Sequence, residues 1–260
     1  MLTIRHAQFA SLKHSTLRSF DEEMVTHVKS FAPWHKNSRA GAYLNDAVRC
    51  GRERAARHGF WMRGPVQFYI ELMCILGAGF DTDPQYPWAR AILDNTADGE
   101  FVRADRLHAR AMNYLRRAAG AASRHARVAL DRMRSVGVDL VTAREIRFET
   151  AALEGIRRLY PEKCEYVGQT ALENLIEAGM TFAEINGAVE PADRGFCIGA
   201  MFALGHNFAS DPLLPWSRTA LAWNGAPASE RFIALRAGFK SYLDQILDST
   251  LEAEHVPTHA

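Results

Sequence analysis

Displaced by 128 positions, the chain aligns with itself: residues 20 to 115 fall on 148 to 243 without a gap, and 23 of those 96 pairs are identical. Chance pairing gives roughly one identity in sixteen, so the excess predicts an internal duplication. The matches begin sparsely, with Phe20 on Phe148, Pro33 on Pro161, Leu44 on Leu172, Gly51 on Gly179 and Gly59 on Gly187. They become dense where Phe68, Ile70, Met73, Leu76 and Gly77 recur as Phe196, Ile198, Met201, Leu204 and Gly205. Phe80, Asp83, Pro84, Pro87, Trp88, Arg90 and Leu93 then recur as Phe208, Asp211, Pro212, Pro215, Trp216, Arg218 and Leu221. So long a period exceeds the roughly 20 to 50 residues of a solenoid unit and points to two copies of a small domain related by a pseudo-symmetry. The expected division is a first copy over 1–117, a connector over 118–140 and a second copy over 141–260. The connector is rich in Ala and Arg, without proline and with only Gly120 and Gly137 as breakers, which predicts a helix.

Within each copy the apolar spacing is helical. Leu17, Phe20, Met24, Val28 and Phe31 step by threes and fours up to Pro33, and Ile146, Ala152, Leu153, Ile156 and Leu159 do the same up to Pro161, where a proline ends the ladder. Further helices are expected over about 170–179, 191–204, 215–223 and from about 229, the last with Phe232, Leu235, Phe239, Leu243, Ile246 and Leu247 on one face. Apart from a weak hint over 136–141, no stretch alternates with the period of a strand. The fold class is therefore all-α, with about ten to twelve helices.

The repeated corner reads as scaffold. Gly77 and Gly205 are expected to supply left-handed helix caps. Asp83 and Asp211, each before a proline, fit an N-cap oxygen followed by Pro at the first helical position. Pro87-Trp88 and Pro215-Trp216 open the next helix with the indole over the turn, and Arg90 and Arg218 are expected to meet the aspartate of their own copy or to stack on the tryptophan.

The polar residues that suggest chemistry are the unmatched ones. Asp81 stands opposite Ala209, while His206 and Asn207 stand opposite Ala78 and Gly79. His206 beside Asp211 could act as a general base in an all-helical hydrolase or lipid-processing enzyme, with Arg218 as the third group, but no nucleophile or second acid is recognisable nearby. Asp81 and Asp83 fall short of a cation's usual ligand count, and Cys50, Cys74, Cys164 and Cys197 form no C-x-x-C pair, so neither metal nor cofactor is expected. Phosphate-loop, G-x-S-x-G and H-E-x-x-H motifs are missing. A formal net charge of +1 gives no overall field for a polyanion. Locally, Arg103, Arg106, Arg110, Arg116, Arg117, Arg124, Arg127, Arg132 and Arg134 face only Asp105 and Asp131, a footprint for an acidic protein or for nucleic acid unless carboxylates such as Glu53 or Glu145 neutralise it. With Tyr114 as its one aromatic, the segment offers no platform for stacked bases. Trp34, Phe60, Trp61 and Tyr86 replace Glu162, Ala188, Val189 and Leu214 of the other copy, an aromatic excess that would mark a partner wherever it stays on the surface. Lacking a signal peptide or a membrane-spanning run, the chain is expected to be cytoplasmic.

The opening Leu2-Thr3-Ile4-Arg5, the helix ends Phe31-Ala32-Pro33 and Leu159-Tyr160-Pro161, and the run Met-Phe-Ala-Leu-Gly-x-x-Phe-x-x-Asp-Pro-x-x-Pro-Trp of residues 201 to 216 resemble a family of small helical bacterial proteins whose genes lie beside type VI secretion spike and effector genes. The resemblance implies an accessory role: a chaperone or adaptor that loads an effector, or an immunity protein that neutralises one. It brings no catalytic residue. Two copies depart from that family's short, single-copy pattern. The expectation is a protein-binding factor that grips an effector or spike component in the cleft between its copies, with Trp34, Trp61, Tyr86, Arg106, Arg110, Arg116, Arg117, Arg124, Arg127 and His206 as candidate contacts.

Overall fold

A computed structural model describes residues 6–35, 41–138, 140–141 and 147–254. Among them the regular structure is entirely helical: α1 His6–Phe31, α2 Gly41–Arg57, α3 Arg63–Leu76, α4 Pro87–Leu93, α5 Glu100–Tyr114, α6 Arg124–Val136, α7 Phe148–Leu159, α8 Pro161–Val167, α9 Gln169–Ile185, α10 Pro191–Leu204, α11 Pro215–Leu221 and α12 Ala228–Glu254. Leu2 to Arg5, Glu145 and Ile146, which entered the sequence argument, lie outside the described residues. Four pairs of helices start 128 residues apart: α2 and α9 at 41 and 169, α3 and α10 at 63 and 191, α4 and α11 at 87 and 215, α5 and α12 at 100 and 228.

Prolines and glycines set most of these limits. α1 stops before Pro33 and α7 before Pro161, since a proline inside either helix would lack the N–H its ladder needs. The same property suits Pro161 to the first turn of α8, a helix the sequence reading had not separated. The apolar stripes then bury two cores. One gathers Met24, Leu44, Tyr69, Phe80 and Leu107 from the N-terminal half, together with Leu213. The other gathers Ile156, Leu172, Phe196, Phe208, Phe232 and Phe239 from the C-terminal half. Gly51 and Gly179 let α2 and α9 approach their neighbours, because a Cβ would come within 2.7 Å of Ile70 and 2.6 Å of Ile198 respectively.

The connector departs from expectation. It is helical but broken: a wide π-type turn, Leu115–Ala119, ends at Gly120, and a short turn, Ala121–Ser123, precedes α6. Gly120 has φ +79° and a Cβ there would strike His125 at 2.7 Å, while Ala122 and Ser123 both hold left-handed conformations that ordinary residues adopt as isolated exceptions. The hint of a strand over 136–141 is also corrected. α6 runs to Val136, and Val138 and Val141 are buried against the second core as irregular chain.

Candidate functional site

At the repeated corners the halves touch. Gly77 and Gly205 end α3 and α10 with φ of 93° and 97°, as a glycine must, yet with ψ of 152° and 150°, an extended form that only glycine adopts rather than the left-handed cap expected. A Cβ on Gly77 would lie 2.5 Å from the Leu204 carbonyl oxygen, and one on Gly205 would lie 3.0 Å from that of Leu76. Asp83 and Asp211 correct a second expectation. They do not cap α4 and α11, whose first turns are bounded by Tyr86 and Leu214. Instead, Asp83 Oδ1 accepts the N–H of Gln85 at 2.8 Å, and Asp211 Oδ1 accepts that of Leu213 at 2.8 Å, each closing a tight turn in which the side chain mimics a backbone carbonyl. Their other oxygens cross the molecule: Asp83 Oδ2 accepts the N–H of His206 at 2.7 Å, and Asp211 Oδ2 accepts that of Ala78 at 2.8 Å. Gln85 donates to the Met201 carbonyl at 3.1 Å, and Lys163, almost fully buried, donates to that of Phe202 at 2.5 Å. The corners therefore meet in direct contact.

These contacts settle the geometry of several candidate residues. His206 faces Asp83, with Nδ1 3.4 Å from Oδ2, and not Asp211. Asp211 is buried with both oxygens committed to backbone donors, and Arg218 lies exposed, so the three do not converge on a shared pocket. Arg90 reaches Asp94 one turn along α4 at 3.4 Å, not Asp83, because its side chain projects into solvent. Trp88 and Trp216 are half-buried; a Cβ on Gly238 would sit 2.5 Å from the Trp216 ring. Tyr86, expected at a surface, is 2% exposed, its ring edge-on to Tyr114 at 5.5 Å, because the corner folds it under Trp88. Trp34 is half-buried and hydrogen-bonded to Tyr242.

The arginine-rich segment does not form one patch. Arg103 is buried and donates to the carbonyls of His58 at 2.6 Å and Leu93 at 2.8 Å. Arg106 pairs with Asp98, Arg117 lies 3.9 Å from Glu165 and over the Tyr166 ring, and Arg134 pairs with Asp131 at 2.5 Å. Arg110, Arg116 and Arg124 are exposed, and Arg127 is half-buried.

Two features of the N-terminal half stand out chemically. Arg54 in the last turn of α2 and His58 just past its end are one turn apart and both bind Asp81, His58 through Nε2 at 3.0 Å. Burial alone would raise the Asp81 carboxyl, but hydrogen bonds from His58 and Arg54 hold it down at about 2. The sequence signal for this network was available: Arg54, His58 and Asp81 stand opposite Phe182, Asn186 and Ala209, so one half carries a buried ionic cluster the other does without. The second feature is an apolar groove of about 820 Å³ among α1, α2 and α3, lined by Leu17, Phe20, Phe60, Trp61 and Val66, with Arg52, Glu53 and Arg63 at its rim. Beside it Trp61, Met62, Phe101 and Val102 are exposed by 74%, 55%, 60% and 45%. Glu100 accepts the backbone N–H groups of Trp61 at 2.7 Å and Met62 at 3.0 Å, which ties this turn to the start of α5.

Among the described residues no cluster of three His, Cys, Asp or Glu side chains is arranged to hold a metal, and no helix is long and apolar enough to cross a membrane. Compared with protein-family models, curated proteins and solved structures, the chain matches none.

Proposed function

We propose that the chain is a tandem duplication serving as a non-enzymatic, protein-binding accessory factor of a type VI secretion effector cluster, an adaptor, chaperone or immunity protein acting in the cytoplasm. The 128-residue recurrence of helix starts, the two cores and the reciprocal bonds of Asp83 and Asp211 support the duplication.

The observation that carries the binding role is the ridge of Trp61, Met62, Phe101 and Val102 beside the apolar groove. Large apolar side chains left together in water mark a binding site, and aromatic anchors at the edge of a pocket supply most of an interface's energy. Glu100 holds the ridge in place beforehand, which lowers the ordering cost of association. The occupant that suits a groove between three helices is an apolar-faced helix of the effector, its side chains entering at helical spacing. Duplication supplies the means: one half retains the shared framework while the other gains an aromatic face.

Co-expression with the product of the adjacent effector gene, followed by pull-down, tests this reading. Trp61→Ala combined with Phe101→Ala should weaken capture by about tenfold or more while shifting stability by less than about 1 kcal/mol, since both residues are solvent-exposed. Undiminished capture by the double variant, or no capture by the parent, would sink the proposal.

A further inference from the structure

Across the Arg57–Trp61 turn from the apolar groove lies a second cavity, of about 580 Å³, lined by Arg57, His58, Gly59, Asp94, Thr96 and Arg103 among others. Its charges do not balance. Each nearby carboxylate already has its own arginine: Asp81 is held by Arg54, and Asp94 by Arg90 at 3.4 Å. Arg57 is exposed and meets no carboxylate among the described residues. Arg103 is 5% exposed, lies over the Phe60 ring and spends one nitrogen, Nη1, on two backbone carbonyls. His58 is oriented by Asp81 through Nε2, leaving Nδ1 toward Asp94 at 3.9 Å, beyond hydrogen-bond range. Two guanidinium groups and Thr96 therefore line an open space that holds a single carboxylate, that of Asp94, beside the His58 ring.

The C-terminal half provides an internal control. Arg231 stands 128 residues after Arg103 and makes a related bond, its Nη2 donating to the Asn186 carbonyl at 3.2 Å. There, however, Ile185, Asn186, Ala222 and Asn224 occupy the places of Arg57, His58, Asp94 and Thr96. An arginine can brace this turn without the second arginine, the histidine and the aspartate of the lining. A buried ionic network seldom stabilises a fold beyond what apolar packing would give, so the lining of the N-terminal half calls for another reason.

We propose that this cavity binds a phosphate-type oxyanion, whose several acceptor oxygens match forked guanidinium donors and a hydroxyl. The inference is independent of the protein-docking reading. Calorimetric titration of the full chain with inorganic phosphate, with phosphoserine and with acetate, all at one ionic strength, tests it. Expected is a single saturable site for phosphate, with phosphoserine binding as well or better if the natural ligand is a monoester and more weakly if it is the free ion. Arg57→Ile, which installs the residue found at position 185, should weaken phosphate binding by about tenfold or more, and Arg218→Ala, an exposed arginine of the other half, should leave it unchanged. Because Arg57 is exposed, the variant should melt as the parent does. Absence of a saturable site, equal binding of acetate, or undiminished phosphate binding by Arg57→Ile would overturn the proposal.

Discussion

Asp211 sits fully enclosed at the meeting of the two corners. Burial pushes its carboxyl up to about 6, against the opposing pull of the Ala78 and Leu213 N–H groups. The folded chain therefore holds this proton more tightly than the unfolded chain does. Its contribution to stability is complete below the ordinary value of 3.8 and is lost as pH rises through about 6. Asp211→Asn should abolish that component of the pH dependence, seen as a flatter urea-midpoint profile between about pH 4 and 7. It should also cost about 1 to 3 kcal/mol, because an amide offers one oxygen to two buried donors. Gly77 admits no side chain for two separate reasons, its φ of 93° and the Leu204 oxygen 2.5 Å from any Cβ. Gly77→Ala is expected to destabilise by at least about 3 kcal/mol in denaturant titration, and a loss below about 1 kcal/mol would contradict the contact.

At the scale of single elements, α8 places Lys163 in the interior, where its ammonium donates to Phe202 and lies 4.6 Å from that ring. Burial lowers its pKa to about 8, against the opposing effect of Asp83. Since the unfolded chain keeps that proton up to about 10.5, folding gains stability as pH climbs from about 8 toward 10.5. The stability difference between parent and Lys163→Met should shift in the parent's favour across that window, and a difference independent of pH would mean that burial does not loosen the lysine's proton. Much of the helical layout was readable from sequence, because Pro191, Pro215, Gly205 and Pro33 announce helix limits by what they cannot do in a ladder. α8 was not, since one proline both stops a helix and opens the next. Nor was the break before α6, for nothing in Ala122 or Ser123 marks a residue as left-handed. Of the candidate site, Trp61 was legible as an unmatched aromatic. The network of Arg54, His58 and Asp81 was legible only in part: Asp81 stood out, but the one-turn spacing of its partners at the end of α2 carries no meaning until the corner folds over them.

For the molecule as a whole, the two cores are not independent. Leu213 is buried in the N-terminal core, Gln85 reaches the Met201 carbonyl, and Tyr160 donates to the Ala118 carbonyl at 3.1 Å. Breaking either half thus strands buried donors in the other. Calorimetry is expected to give one unfolding transition, with van't Hoff and calorimetric enthalpies in agreement; two resolved transitions would mean that the corner contacts contribute little.

The bond from Ala78 to Asp211 spans 133 residues, and this separation imposes a timetable on synthesis. At ordinary elongation rates the ribosome needs roughly 7 to 27 seconds to travel from one partner to the other. Throughout that interval the nascent first corner waits with its amide unanswered and its core short of Leu213, so maturation is completed only after the later codons have been translated.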